Sequence, residues 1–256
     1  MVLKSSHFAT LALTIVALTW PLRLFDSNVG ACKDTASAVR IEACTRAINS
    51  AGWHYDNLSW AYANRGDAYR IKGETDLALA DYDRSIRLEP NRSITFHNRG
   101  LAHQAKGDLD HAIADYSQAI SKWNLRKASS RRDYLSHRAV AYTNRGDLAL
   151  ATADYDAAIR LAPHDSDLYY NRGLLFKATD DLDRAIADYT RAIAEFDASE
   201  HSVTDKRDYL TERGEAYRAK GESKLALADF DQATAIEATL ARVVSARRRV
   251  ASVVSR

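Results

Sequence analysis

An arginine and an aspartate recur sixteen residues apart, five times over: Arg65 with Asp81, Arg99 with Asp115, Arg138 with Asp154, Arg172 with Asp188, and Arg213 with Asp229. After each arginine stands Gly66, Gly100, Ala139, Gly173 or Gly214, and after each aspartate Tyr82, Tyr116, Tyr155, Tyr189 or Phe230. A chain that repeats itself this closely serves as its own alignment. Whatever recurs is demanded by the architecture, and specific function is to be sought in what varies between copies.

The spacing of the small residue after the arginine is 34, 39, 34 and 41 residues, room for two helices per copy. In copy one the first runs through Tyr62–Tyr69 and the second through Leu77–Leu88. Only three prolines and ten glycines in 256 residues favour helices over a loop-rich β fold. The 46% hydrophobic and 27% charged content excludes disorder throughout. Between the helices sits Lys72-Gly73-Glu74, repeated as Lys106-Gly107-Asp108, Arg145-Gly146-Asp147 and Lys220-Gly221-Glu222. Glycine there ends a helix in the left-handed conformation, the base before it suits the helix C-terminus, and the acid after it suits the next N-terminus. Copy four has Thr179-Asp180-Asp181 instead, which predicts its least stable turn. The glycine after the arginine falls inside a helix, where it costs about 0.5–1 kcal/mol relative to alanine. Space is therefore needed there, and the alanine twelve residues on (Ala78, Ala112, Ala151, Ala185, Ala226) is the expected partner, with the following aromatic filling the volume beside the contact.

These positions resemble the tetratricopeptide repeat family, whose pattern sets an aromatic, Leu-Gly, Tyr, Ala, Phe, Ala and Pro across a 34-residue unit. Copy one carries Tyr62, Arg65-Gly66, Tyr69, Ala78, Tyr82, Ser85 and Pro90, and copy two Phe96, Arg99-Gly100, His103, Ala112, Tyr116 and Ala119. Arginine stands where the family usually has leucine. The resemblance covers residues 59–240, as units 59–92, 93–126, 132–165, 166–199 and 207–240. It implies an all-α, right-handed helical-repeat solenoid of five helix-turn-helix units. An N-terminal half-unit lies within 32–58, with Cys44 at the aromatic position, and a basic tail at 241–256 extends the last helix. Pro90 and Pro163 stop copies one and three on time, whereas copies two and four are expected to run on through Trp123 and Phe196. Both inserts end in the same four residues, Arg132-Asp133-Tyr134-Leu135 and Arg207-Asp208-Tyr209-Leu210, so the working module reads as a pair of repeats.

Before the repeats, Lys4 and His7 precede an apolar run from Phe8 to Trp20, and Val29-Gly30-Ala31 offers small residues for cleavage. This run of thirteen residues falls short of the roughly 20 that span a bilayer. The reading is a cleaved signal peptide at 1–31 and an exported chain, periplasmic or secreted if bacterial, with a retained signal-anchor or a buried helix as the alternatives. Cys32 and Cys44 then read as a disulfide, against lipidation of Cys32 or two inert thiols.

Residues 241–256 carry five arginines and no acid, while 32–240 holds 29 basic and 33 acidic residues, a net of −4. That balance argues against a nucleic-acid partner and leaves an anionic-membrane or acidic-partner contact through the tail as an alternative to a plain helix cap. The five Arg–Asp pairs read as salt bridges between the two helices of each unit, because every guanidinium brings its own carboxylate. By resemblance the first helices line a concave groove for a protein or peptide. Asn64, Asn98 and Asn171, each just before the arginine, are its candidate backbone-holding residues, with His97 and Tyr170 beside them and His137 at the same position in copy three. The basic clamp by which some members take a C-terminal carboxylate is missing, since Ala63, Asp67, Asp133 and His137 occupy its positions. Eight histidines invite a metal search, but His97 and His103 lie six apart on one helix and face different ways. No catalytic motif appears. The expectation is a non-enzymatic adaptor with no metal, no cofactor and no small-molecule substrate. The alternative is a membrane-associated structural component of an envelope complex.

Overall fold

The structure is a computed structural model that describes residues 32, 37–50, 55–123, 128–197 and 202–254. The signal-peptide reading of 1–31 lies outside them. The described residues form eleven helices and no strand. A single helix, α1 (Ser37–Asn49), precedes five pairs: α2 (Tyr55–Ile71) with α3 (Thr75–Leu88), α4 (Ser93–Ala105) with α5 (Leu109–Ser121), α6 (Ala128–Arg145) with α7 (Leu148–Leu161), α8 (Ser166–Ala178) with α9 (Leu182–Glu195), and α10 (Val203–Ala219) with α11 (Ser223–Val254). The chain divides into two compact units, residues 1–124 and 125–256. Inside each, the helices of a copy pack against one another and the second helix of a copy packs on the first helix of the next, as in a tetratricopeptide solenoid.

All five turns are built alike. In each, the acid after the turn donates its backbone N–H to the carbonyl of the aromatic or histidine five residues earlier: Glu74 to Tyr69, Asp108 to His103, Asp147 to Tyr142, Asp181 to Phe176 and Glu222 to Tyr217, at 2.9–3.0 Å. This closure needs a left-handed residue. Gly73, Gly107, Gly146 and Gly221 supply it at φ 76–94°, and in copy four Asp180 does so at φ 60°.

The glycine inside the first helix has a different partner from the one expected. A Cβ on Gly66 would lie 2.9 Å from the Tyr82 ring and 3.2 Å from the Ala78 carbonyl, and on Gly173 2.7 Å from the Tyr189 ring. The aromatic sixteen residues on therefore lies directly on the glycine, and the alanine contributes its backbone rather than its side chain. The next copy closes the other side of the ring: Ala102 packs with Tyr82, Leu175 with Tyr155, and Ala216 with Tyr189. Burying these aromatic faces is what joins one copy to the next.

The longer spacings are taken up by the copy that follows. Helices α5 and α9 do not run on; they stop at Ser121 and Glu195. The extra length falls instead to the following first helices, 17 and 18 residues in α2, α6 and α10 against 13 in α4 and α8. The Arg-Asp-Tyr-Leu segments lie inside α6 and α10, with Tyr134, Leu135, Tyr209 and Leu210 buried. The proline-ended copies behave as the sequence predicts, α3 ending at Leu88 and α7 at Leu161.

Cys32 and Cys44 form a disulfide, fully buried with Ala43 and Ala61. Of the three readings for these thiols, the structure carries this one. The disulfide fixes the chain entering α1 at the site where every other copy places an aromatic ring. The basic tail continues α11 to Val254. Among the described residues no helix is long and apolar enough to cross a membrane.

Candidate functional site

The five arginines lie close to their aspartates. Each guanidinium spans both carboxylate oxygens through Nε and Nη2 at 2.6–2.8 Å: Arg65 to Asp81, Arg99 to Asp115, Arg138 to Asp154, Arg172 to Asp188 and Arg213 to Asp229. Aspartate burial is near complete, 3–7% exposed. The bidentate fit uses the planar fork that lysine lacks. The paired carboxylate raises each arginine's already high pKa through its hydrogen bond, more than burial lowers it in Arg65, Arg99, Arg138, Arg172 and Arg213. Aromatic rings complete the setting, with Arg65 5.5 Å from the Tyr62 centroid and Arg172 5.7 Å from that of Phe176.

One role of these arginines was not foreseen. The remaining nitrogen, Nη1, reaches back to the second helix of the preceding copy: Arg65 to Thr45 at 3.0 Å, Arg99 to Asp83 at 2.6 Å, Arg172 to Asp156 at 2.5 Å and Arg213 to Thr190 at 3.1 Å. Each acceptor stands two residues after the position equivalent to the paired aspartate. Each of these four arginines therefore ties three helices together, and leucine at this position could make none of these bonds. The signal was in the sequence as Thr45, Asp83, Asp156 and Thr190 in matching register.

The groove candidates fare unequally. Asn64 turns back on its own helix, donating Nδ2 to the Trp60 carbonyl at 3.0 Å. Asn98 donates to Asp67 at 2.8 Å and pairs its Oδ1 with Nδ1 of the buried His97 at 3.1 Å. Asp67 also accepts from the Tyr82 hydroxyl at 2.6 Å. Burial raises the Asp67 pKa despite these two donors. His137 contacts the Asp133 carbonyl through Nδ1 at 2.8 Å.

Copy four differs. Asn171 is half-buried and makes no side-chain hydrogen bond among the described residues. Beside it, Tyr170 lies 5.9 Å from Tyr189 and 4.8 Å from Tyr209, ring to ring. The buried Tyr189 hydroxyl has no partner among the described residues, whereas its counterparts Tyr82 and Tyr116 donate to Asp67 and Gln104. Burial pushes the Tyr170 phenol up to about 12, aided by the negative charges of Glu212, Asp208, Asp167 and Asp205. Glu212, which replaces asparagine in copy five, holds Lys177 at 2.6 Å. The structure thus brings Tyr170 together with Tyr189, Tyr209 and four acids, a grouping spread over α8, α9 and α10 that no short motif announces.

The His97 ring lies 5.7 Å from that of Tyr116. His103 instead meets Asp108 and His111 across the α4–α5 turn, with one donor atom from each residue within 4.8 Å of the others. A search for ligand spacing inside single helices could not find this group.

The tetratricopeptide models account for most of the chain. A TPR repeat model matches residues 66–107, and a Tetratricopeptide repeat model matches 97–166, 138–202 and 170–241. No curated protein matches the sequence. Among solved structures, MamA is 23% identical with a TM-score of 0.60, covering 69% of this chain and 96% of that one. YrrB, described as a TPR protein with an unusual peptide-binding site, is 19% identical with a TM-score of 0.58, covering 81% and 99%. BtubC from P. vanneervenii is 17% identical with a TM-score of 0.69, covering 84% and 92%. At these identities the likeness is one of fold. With the recurring helix pairs, the arginine–aspartate clasps and models matching from residue 66 to 241, the chain belongs to the tetratricopeptide repeat family, whose members serve in protein–protein interaction.

Proposed function

We propose that the chain is an exported, non-catalytic adaptor that holds an extended, basic segment of a protein partner against the first helices of copies four and five. The observation that carries this reading is the pair of unspent polar groups around Tyr170: the Asn171 amide, and the buried Tyr189 hydroxyl. Native proteins seldom leave buried polar groups without a partner; a peptide backbone can pair directly with the half-buried Asn171 amide, and with the fully buried Tyr189 hydroxyl once the neighbouring Tyr170 ring turns aside. Asp167, Asp205, Asp208 and Glu212 set four negative charges around Tyr170 against the two bases paired with them, Lys177 on Glu212 and Arg207 on Asp208, and the acidic balance favours lysine or arginine in the bound segment. Stacked tyrosines supply apolar area at low entropic cost. Export rests on the Cys32–Cys44 disulfide, a bond that persists in oxidising compartments.

The test is selection from a phage-displayed library of short random peptides on the whole chain, repeated with Tyr170→Ala and Asn171→Ala. Enrichment of basic sequences that both variants lose supports the reading; enrichment that both retain overturns it. The membrane-associated alternative is favoured by one feature, the unbroken continuation of α11 into the segment with five arginines. Salt-sensitive binding to anionic vesicles, lost on truncation at residue 240, would select it.

A further inference from the structure

We propose that His103, Asp108 and His111 form a binding site for zinc or a neighbouring divalent transition-metal cation at the α4–α5 turn. In the other copies the residue in the place of His103 is aromatic (Tyr69, Tyr142, Phe176, Tyr217) and that in the place of His111 is Leu77, Leu150, Arg184 or Leu225. The acid between them recurs in all five, as Glu74, Asp108, Asp147, Asp181 and Glu222. Copy two therefore keeps the shared acid and changes both of its flanking positions to imidazole. Packing does not require the second change, because Leu77, Leu150 and Leu225 are about half exposed at that position.

The geometry puts nitrogen and oxygen donors around one point. Asp108 Oδ1 faces His111 Nδ1 at 2.8 Å and its Oδ2 faces His103 Nδ1 at 3.2 Å, while the two rings stack with centroids 5.1 Å apart. Two imidazoles and a carboxylate suit zinc, nickel or copper better than calcium or magnesium, which take oxygen ligands. Bonds of about 2.0–2.2 Å to one cation ask the three donors to draw together from their 4.8 Å spread, and the exposed His111 ring has room to turn. Each neutral ring would carry its proton on Nε2 and give Nδ1 to the metal, so no proton need leave. For His103, Asp115 Oδ2 lies 4.0 Å from Nε2, outside hydrogen-bonding distance, and would receive that N–H if the ring shifts toward it on binding. A carboxylate behind a ligating histidine orients the ring and raises its basicity. Three ligands leave a zinc ion open toward solvent on the His111 side.

The test is calorimetric titration of zinc chloride into the whole chain at neutral pH, against the double variant His103→Tyr/His111→Leu, which installs the residues copies one, three and five already carry. Six further histidines can take up zinc weakly, so the reading is a difference. The wild type should bind one more equivalent than the variant, and zinc should shift the imidazole NMR signals of His103 and His111. Equal stoichiometry with those signals unmoved would overturn the proposal. The single variant His111→Leu, at an exposed position, should lose the same equivalent and guards against misfolding of the double.

Discussion

Copies two and four are built on one plan and differ in what they leave unpaired. In copy two, Asn98 is fastened to Asp67 and His97, and the Tyr116 hydroxyl to Gln104. In copy four, Asn171 and the Tyr189 hydroxyl have no hydrogen-bond partner among the described residues. Copy two turns on Gly107 and copy four on Asp180, forced into the same left-handed backbone. Copy two brings two histidines to its turn, while copy four sets Arg184 over the Phe176 ring at 4.3 Å. The shared parts, the clasp and the ring on the glycine, are architecture. The differences divide the copies into one with its asparagine spent on packing and one with polar groups in reserve.

The shared part should fail equally in both. Arg99→Ala strands the buried Asp115 and loosens Asp83, and Arg172→Ala does the same to Asp188 and Asp156. Removing one partner of a buried pair costs about 3–5 kcal/mol, so chemical denaturation should show a loss of that order for each variant. A loss in one copy alone would break the claim that the clasp is the same device throughout. The turns should differ next. Asp180→Gly relieves a left-handed non-glycine residue and should stabilise by about 1 kcal/mol, while Gly107→Ala should destabilise by a similar amount, both read from the midpoint of urea unfolding.

The asparagines give a smaller and more discriminating contrast. Asn98→Ala removes hydrogen bonds to Asp67 and His97 and should cost about 1 kcal/mol, whereas Asn171→Ala should stay within about 0.5 kcal/mol. Equal losses would mean that Asn171 is engaged in the fold. Last comes a pH effect. Burial holds the folded pKa of Asp67 above its unfolded value, so its contribution is fully present below the unfolded value near 3.8 and is lost as pH rises through the folded value. Asn98→Ala removes a donor that lowers this pKa, so carboxyl NMR titration should place Asp67 higher in the variant than in wild type.

The repeat, the helix pairs, the left-handed turns and all five clasps were legible in the sequence because each recurs, and recurrence exposes what packing demands. The half-unit was legible for the same reason, Cys44 standing in the aromatic register. What recurrence could not show was contact between different positions in different copies. The third hydrogen bond of Arg65, Arg99, Arg172 and Arg213, the Asp67–Asn98 pairing and the Tyr170–Tyr189–Tyr209 cluster all arise from packing one helix pair on another. The placement of the extra length was not legible either. No proline ends α5 or α9, yet the additional turn stands at the start of α6 and α10, ahead of Tyr134-Leu135 and Tyr209-Leu210, which bury at the positions that Thr95-Phe96 and Leu168-Tyr169 hold in the shorter helices. His103 and His111 escaped notice because a turn, rather than one helix face, brings them together.

The most direct test of the binding face is backbone amide NMR of the whole chain as a library-selected basic peptide is added. The account predicts shifts concentrated in residues 166–177 and 207–217, with the amides around Asn98 unmoved. Shifts concentrated in α9 or around Asn98, with 166–177 silent, would contradict it.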